Sequence, residues 1–132
     1  MLFDTKNVPN DLIPYMGVLK SVLGYVDTEH YTYGELFNEI NAQTGGINCG
    51  LQVFRIPEND DDCRRMFGIR AKFLYDKLDF VMKMIEEILN TSRLDDEKRL
   101  HEIISSMKSG LQNRLSSAGN ATAVMRAASY YS

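Results

Sequence analysis

From Leu12 to Leu23 the apolar residues Leu12, Ile13, Tyr15, Met16, Val18, Leu19, Val22 and Leu23 fall on nearly every side of a helical wheel, leaving only Lys20 and Ser21 clearly polar. Such a pattern predicts a helix running to about Gly24 that is buried at the centre of a larger domain. Asp11 is placed to cap it, and Pro14 falls at the third helical position, where a missing N–H breaks no bond. Tyr25 to Tyr31 reads as polar connection. Thr32 with Glu35 has the spacing of a capping box and opens a second helix to about Gln43, whose apolar stripe is Leu36, Phe37 and Ile40. Gly45-Gly46 ends it, because glycine alone takes the left-handed backbone of a helix terminus without strain.

The period then changes from helical to two. Ile47, Cys49, Leu51 and Val53 alternate with Asn48, Gly50, Gln52 and Phe54, and later Phe67, Ile69, Ala71 and Phe73 alternate with Met66, Gly68, Arg70 and Lys72. Each run predicts a strand with one buried face, and together they predict an antiparallel pair. The acidic segment Pro57 to Asp62 between them is expected as a loop, too long and too charged for a tight turn. Helical spacing returns in Asp76 to Asn90, through Leu78, Val81, Met82, Ile85, Ile88 and Leu89. It is repeated in Asp95 to Ser116, through Leu100, Ile103, Ile104, Met107, Leu111 and Leu115. Asp95, Asp96 and Glu97 place negative charge at the positive end of that helix. Ser117-Ala118-Gly119-Asn120 interrupts the pattern, with Asn120 placed to cap a last helix from Ala121 to Ser129. The order of elements is α+β, helices packed on a short antiparallel strand pair, with no internal repeat.

Composition narrows the function classes. With 132 residues, 44% apolar and 25% charged, the chain is too hydrophobic for disorder and short enough for one core. Fifteen basic residues against eighteen acidic ones leave a net charge of -3, which argues against binding nucleic acid or anionic lipid through bulk charge. The stretch Leu12 to Val26 is broken by Pro14, Gly17, Lys20, Ser21 and Gly24, and falls short of the roughly 18 apolar residues of a membrane span. The opening MLFDTKNVPND has neither a signal peptide's basic and apolar regions nor a transit peptide's freedom from acidic residues, so the expected compartment is the cytoplasm. Cys49 and Cys63 have no Cys or His at zinc-ligand spacing and are expected as reduced thiols.

Candidate chemistry is sparse. His101-Glu102-Ile103-Ile104-Ser105 begins like H-E-x-x-H, in which two histidines one turn apart hold a metal, but Ser105 stands where the second histidine belongs. Glu29 and His30, followed by Tyr31 and Tyr33, pair a carboxylate with an imidazole yet have no nucleophile or third ligand nearby, and read as a surface loop. Asp60, Asp61 and Asp62 lack the alternation and glycine of a calcium loop and read as a solvated charge run. Gly45-Gly46 lies at a helix end, whereas phosphate loops need a helix start. Met16, Met66, Met82, Met84 and Met107 are expected mainly in packing. No catalytic, metal-ligating or cofactor-binding residue is assigned.

The run LIPYMGVLKSVLGYVDTEHYTYGELFNEINAQTGGINCGLQV, Leu12 to Val53, resembles the pitrilysin/insulinase-type zinc metallopeptidases, in the subfamily that includes presequence protease. It is similar to their second, non-catalytic half, and SSAGNATAVMRAASYYS resembles the same half farther along. The resemblance implies a partial metallopeptidase-like domain of split ferredoxin-like type, within a protein whose catalytic half carries an inverted zinc motif, H-x-x-E-H. Laid over the first helix, that motif puts Met16 and Lys20 at the histidine positions and Leu19 at the glutamate position. None offers an imidazole or a general base, and the helix contains no histidine in any register.

The implied role is a structural segment, inactive alone, of a protease whose two halves close around an unfolded peptide. Its implied partners are the catalytic half of the same polypeptide and the peptide substrate, with zinc only in the parent. The resemblance further implies an excised piece of a longer domain, expected to form a homodimer or swapped assembly in isolation through exposed strand edges. The alternative is a self-contained interaction module without enzymatic activity.

Overall fold

The first helix starts later, and is far less covered, than its apolar pattern suggests. The computed structural model describes residues 1–56 and 59–130, with the side chains of residues 56 and 59–62 outside that description. In it Asp11 lies within a 3-10 turn, Asn10–Leu12, and makes no side-chain cap. The helix α1, Ile13–Val22, follows directly, with Pro14 at its second position. Only Val22 of α1 is buried, while Tyr15 is 68% exposed. An apolar wheel records which sides of a helix can be buried. The other described elements cover one side of this one.

Gly24, at φ +85°, turns the chain out of α1, and the connection that follows is not a loose polar loop. Val26 and Thr28 are buried, the Thr28 N–H donates to the Tyr31 carbonyl at 2.8 Å, and the Arg93 N–H donates to the Asp27 carbonyl at 2.8 Å. Helix α2, Tyr33–Gln43, opens on the expected capping box: the Glu35 N–H donates to Thr32 Oγ1, and the Thr32 N–H donates to Glu35 Oε2 at 2.9 Å. It ends at Thr44, and the left-handed turn is taken by Gly46, φ +107°, rather than by the first glycine.

Among the described residues the sheet has three strands in the order β1-β3-β2, one more than the sequence pattern reveals. β1 is Leu2–Asp4, β2 is Ile47–Ile56 and β3 is Asn59–Ala71. β2 and β3 pair antiparallel from Ile47 opposite Ala71 to Arg55 opposite Cys63, and Ile56 then lies opposite Asn59. The expected six-residue acidic loop is therefore shorter: the main chain of 59–62 belongs to β3, with an irregularity in the register between Arg55 and Ile56. Pro57 and Glu58 lie outside the described residues. β1 escapes a periodicity argument because three residues carry no readable alternation.

Helix α3, Leu78–Thr91, follows a 3-10 turn at Tyr75–Lys77 and buries Val81, Met84, Ile85 and Ile88. These meet Leu23, Leu36, Ile40, Phe67 and Ile69 in one core between the helices and a single sheet face. Leu51 and Val53, expected on the buried face of β2, are exposed, Val53 by 68%, because the hairpin runs on past the helices. On the opposite face Leu2, Phe54, Arg64 and Arg70 are exposed.

Helix α4, Glu97–Ser117, is capped by Asp96, whose carboxylate accepts from the Arg99 N–H at 2.9 Å. Helix α5, Gly119–Ala128, begins after Ala118, so Asn120 lies inside it rather than at its cap. Neither helix buries a residue, and Leu111 in the apolar stripe of α4 is 58% exposed. Five α-helices and an antiparallel sheet among the described residues make the fold α+β.

Candidate functional site

Of the three positions over which the family's zinc motif falls, Met16 and Leu19 serve packing. Met16 and Leu19 lie on the side of α1 turned to the core, where with Phe3, Phe67, Leu89 and Leu94 they line an apolar pocket of about 360 Å³. Lys20 is on another side of α1, exposed at a separate groove. A thioether, an isobutyl group and an ammonium do not make a zinc site, so the residues present do not fit the metal that the resemblance assigns to the parent's catalytic half. Among the described residues no group of three or more His, Cys, Asp and Glu side chains is placed to hold a metal ion.

His30 does find a carboxylate, but it is not its neighbour Glu29. Its Nδ1 lies 3.1 and 3.0 Å from the two carboxylate oxygens of Glu87 on α3, and its main-chain N–H donates to Glu87 Oε1 at 3.1 Å. Burial alone would raise the Glu87 carboxyl. Hydrogen bonds from Thr28, Thr91 and the main chain and ring of His30 outweigh it and bring the pKa from an ordinary 4.5 down to about 2. A carboxylate so firmly ionised and so fully occupied accepts hydrogen bonds and does not shuttle protons near neutral pH. The pair pins the α1–α2 connection to α3.

A second node joins that connection to α4. Arg99 Nε donates to the Tyr25 carbonyl at 2.9 Å, an Nη donates to Glu102 at 3.1 Å, and the guanidinium carbon lies 3.8 Å from the centroid of the Tyr33 ring. Glu102 is thus engaged by Arg99, while His101 and Ser105 are exposed beside it. The truncated zincin word is a helix surface. Asp27 completes the node by accepting from the Tyr33 N–H at 2.8 Å.

Tyr31 and Tyr33 consequently serve the core and the Arg99 stack. The Gly45 N–H donates to the Lys72 carbonyl and the Gly46 N–H to Thr44 Oγ1, which leaves neither donor for a phosphate. The side chains of Asp60, Asp61 and Asp62 lie outside the described residues. Both cysteines are free thiols; Cys63 is exposed, and burial pushes the Cys49 thiol up. Met84 is buried, Met16, Met66 and Met107 are half-buried, and Met82 is exposed. Glu87, Arg99, Asp27 and Thr28 were not legible as a group, since the His30 and Arg99 bonds span 57 and 74 positions.

Between α4 and β2 lies a groove of about 510 Å³, walled by Leu23, Ile103 and Met107 and floored by Ile47 and Cys49. No helix among the described residues is long and apolar enough to cross a membrane.

Protein HypA of Clostridium perfringens is 36% identical over 128 residues, covering 97% of this chain and 13% of that protein. The mitochondrial presequence protease of Yarrowia lipolytica is 23% identical over 124 residues, 94% of this chain and 12% of the protease. Presequence protease 1, chloroplastic/mitochondrial, of Arabidopsis thaliana is 22% identical over 126 residues, 96% of this chain and 12% of the protease. The chain spans 12–13% of the length of these relatives. A family model described as peptidase M16C associated matches residues 1–132 from end to end, and the chain belongs to that family.

Proposed function

We propose that this chain is a non-catalytic segment of a peptide-degrading zinc metalloendopeptidase, and that it forms part of the wall of the chamber enclosing the substrate. Zinc and the reacting groups then reside in the catalytic half of the same polypeptide, the chief partner of this segment. The observation that carries the reading is the chemistry of α1, where Met16 and Leu19 pack into an apolar pocket at positions over which the family's zinc motif falls. The similarity to presequence proteases supports the parent activity.

The isolated chain is expected to retain no stoichiometric zinc after metal exchange and to leave an unstructured peptide uncut. Zinc-dependent hydrolysis by the chain alone overturns the non-catalytic part of the proposal. In the whole protease, a substrate peptide bearing a photoreactive group is expected to cross-link to this segment; cross-links confined to the catalytic half remove the wall role.

A further inference from the structure

Charge is divided unevenly along the chain. All eighteen acidic residues lie at or before Glu102, and only Lys108, Arg114 and Arg126 follow it. On α4 the exposed residues Ile104, Leu111 and Leu115 succeed one another at intervals of seven and four, which returns them to one side of the helix. Lys108 flanks that stripe. On α3 the exposed residues Leu78, Met82 and Leu89 succeed one another at four and seven, on the side turned away from the buried Val81, Ile85 and Ile88. Asp79 and Glu86 flank this second stripe.

Set antiparallel, the two stripes have the same intervals. Ile104 then falls opposite Leu89, Leu111 opposite Met82 and Leu115 opposite Leu78, and Lys108 falls within one position of Glu86. Lys108 and Glu86 are both exposed, and neither makes an ion pair among the described residues. The α4 of the same chain does not cover α3, since its start is fastened by Arg99 to Tyr25 and Tyr33 and the α3 stripe stays open. Two α4 helices do not suit each other, because the stripe carries basic flanks and no acidic residue beyond Glu102. The fitting surface for α4 is therefore α3 of another molecule.

We propose that α4 packs antiparallel on α3 of a second copy of this chain, and that the exchange is reciprocal, giving a two-fold dimer. Each copy offers both surfaces, so one rotation satisfies both contacts and closes the pair. The six apolar side chains are roughly half exposed. Counted in both copies they supply on the order of 1,000 Å² of apolar surface, which with the polar flanks reaches the range of a stable interface. This contact is made by helices rather than strand edges, and it does not rest on the wall role or on the non-catalytic reading.

Sedimentation equilibrium of this chain is expected to give twice its mass of 15.1 kDa at high concentration, falling to one chain on dilution. Leu111→Asp, at a residue that faces water in the single chain, is expected to abolish the dimer and leave the circular dichroism unchanged. Lys108→Glu and Glu86→Lys are each expected to raise the dissociation constant about tenfold, by setting like charges together twice per dimer. An equal mixture of those two variants is expected to recover the affinity, because both contacts of a mixed dimer again join opposite charges. In the unaltered chain, amide exchange at high concentration is expected to slow on α3 and α4 and not on β2, a reading that stands even if a variant does not fold. A single-chain mass at every concentration, a mass that grows past two chains, a dimer unmoved by Leu111→Asp, a mixture without recovery, or protection placed on β2 overturns the proposal, the last by marking strand edges as the contact.

Discussion

Arg99 lies over the ring of Tyr33, its guanidinium carbon 3.8 Å from the ring centroid, and so fastens the start of α4 to the first turn of α2. Because α4 buries no residue of its own, this contact and the bond to the Tyr25 carbonyl carry much of its attachment. Arg99→Ala is expected to cost about 1–2 kcal/mol, the combined size of a partly desolvated cation–π contact and one charge-assisted hydrogen bond. Arg99→Lys should recover only part, since an ammonium cannot stack and donate in two directions at once. Amide exchange is the measurement: α4 speeds up and α3 does not.

Glu87 makes stability depend on acid. Its carboxyl is depressed to about 2 in the folded chain, so the folded state binds this proton less readily than the unfolded chain does. The stabilisation is complete above the ordinary value of 4.5 and is lost as pH falls from there toward 2. In Glu87→Gln the urea midpoint should be lower at neutral pH and should fall less steeply across that acid range.

The core and the α4 stripe are both apolar in sequence, yet they should respond differently to substitution. Leu36 is fully buried, and Leu36→Ala should cost about 2–5 kcal/mol. Leu111 faces water, and Leu111→Ser should change stability by less than about 0.5 kcal/mol. Equal losses in the urea midpoint would mean that α4 packs in solution against something the isolated chain supplies.

Thr32 serves the capping box, and Thr32→Ala should cost about 1 kcal/mol while leaving the sheet unchanged. The same hydrogen bonds, first from the Thr32 main chain and then from its hydroxyl, hold the Glu35 carboxyl below its usual range. A carboxyl-resolved NMR titration should therefore find Glu35 returning toward its usual value in the variant.

What was legible depended on the distance over which each feature is decided. Thr32 and Glu35 meet within one turn, so the α2 start could be read from spacing alone. The β2–β3 pair could be read because two long alternating runs are adjacent in sequence. β1 could not, since Leu2 to Asp4 becomes a strand only through pairing with Met66 to Gly68. The α1 pattern misled because eight apolar residues state a capacity for burial without naming what will cover them. The identities of Met16, Leu19 and Lys20, none of them an imidazole or a carboxylate, are sequence facts that need no fold. The His30–Glu87 and Arg99–Tyr33 contacts were not legible.

The amino-acid sequence by itself determined the element types, the α2 cap, the antiparallel pairing and the lack of metal ligands on α1, because each is set by residue chemistry within a few positions or by period along one run. Only the tertiary structure decided the third strand, the carboxylate that His30 receives and the anchoring of α4. Those depend on groups brought together from distant positions by burial of a common core, and local pattern carries no record of which distant surface will arrive.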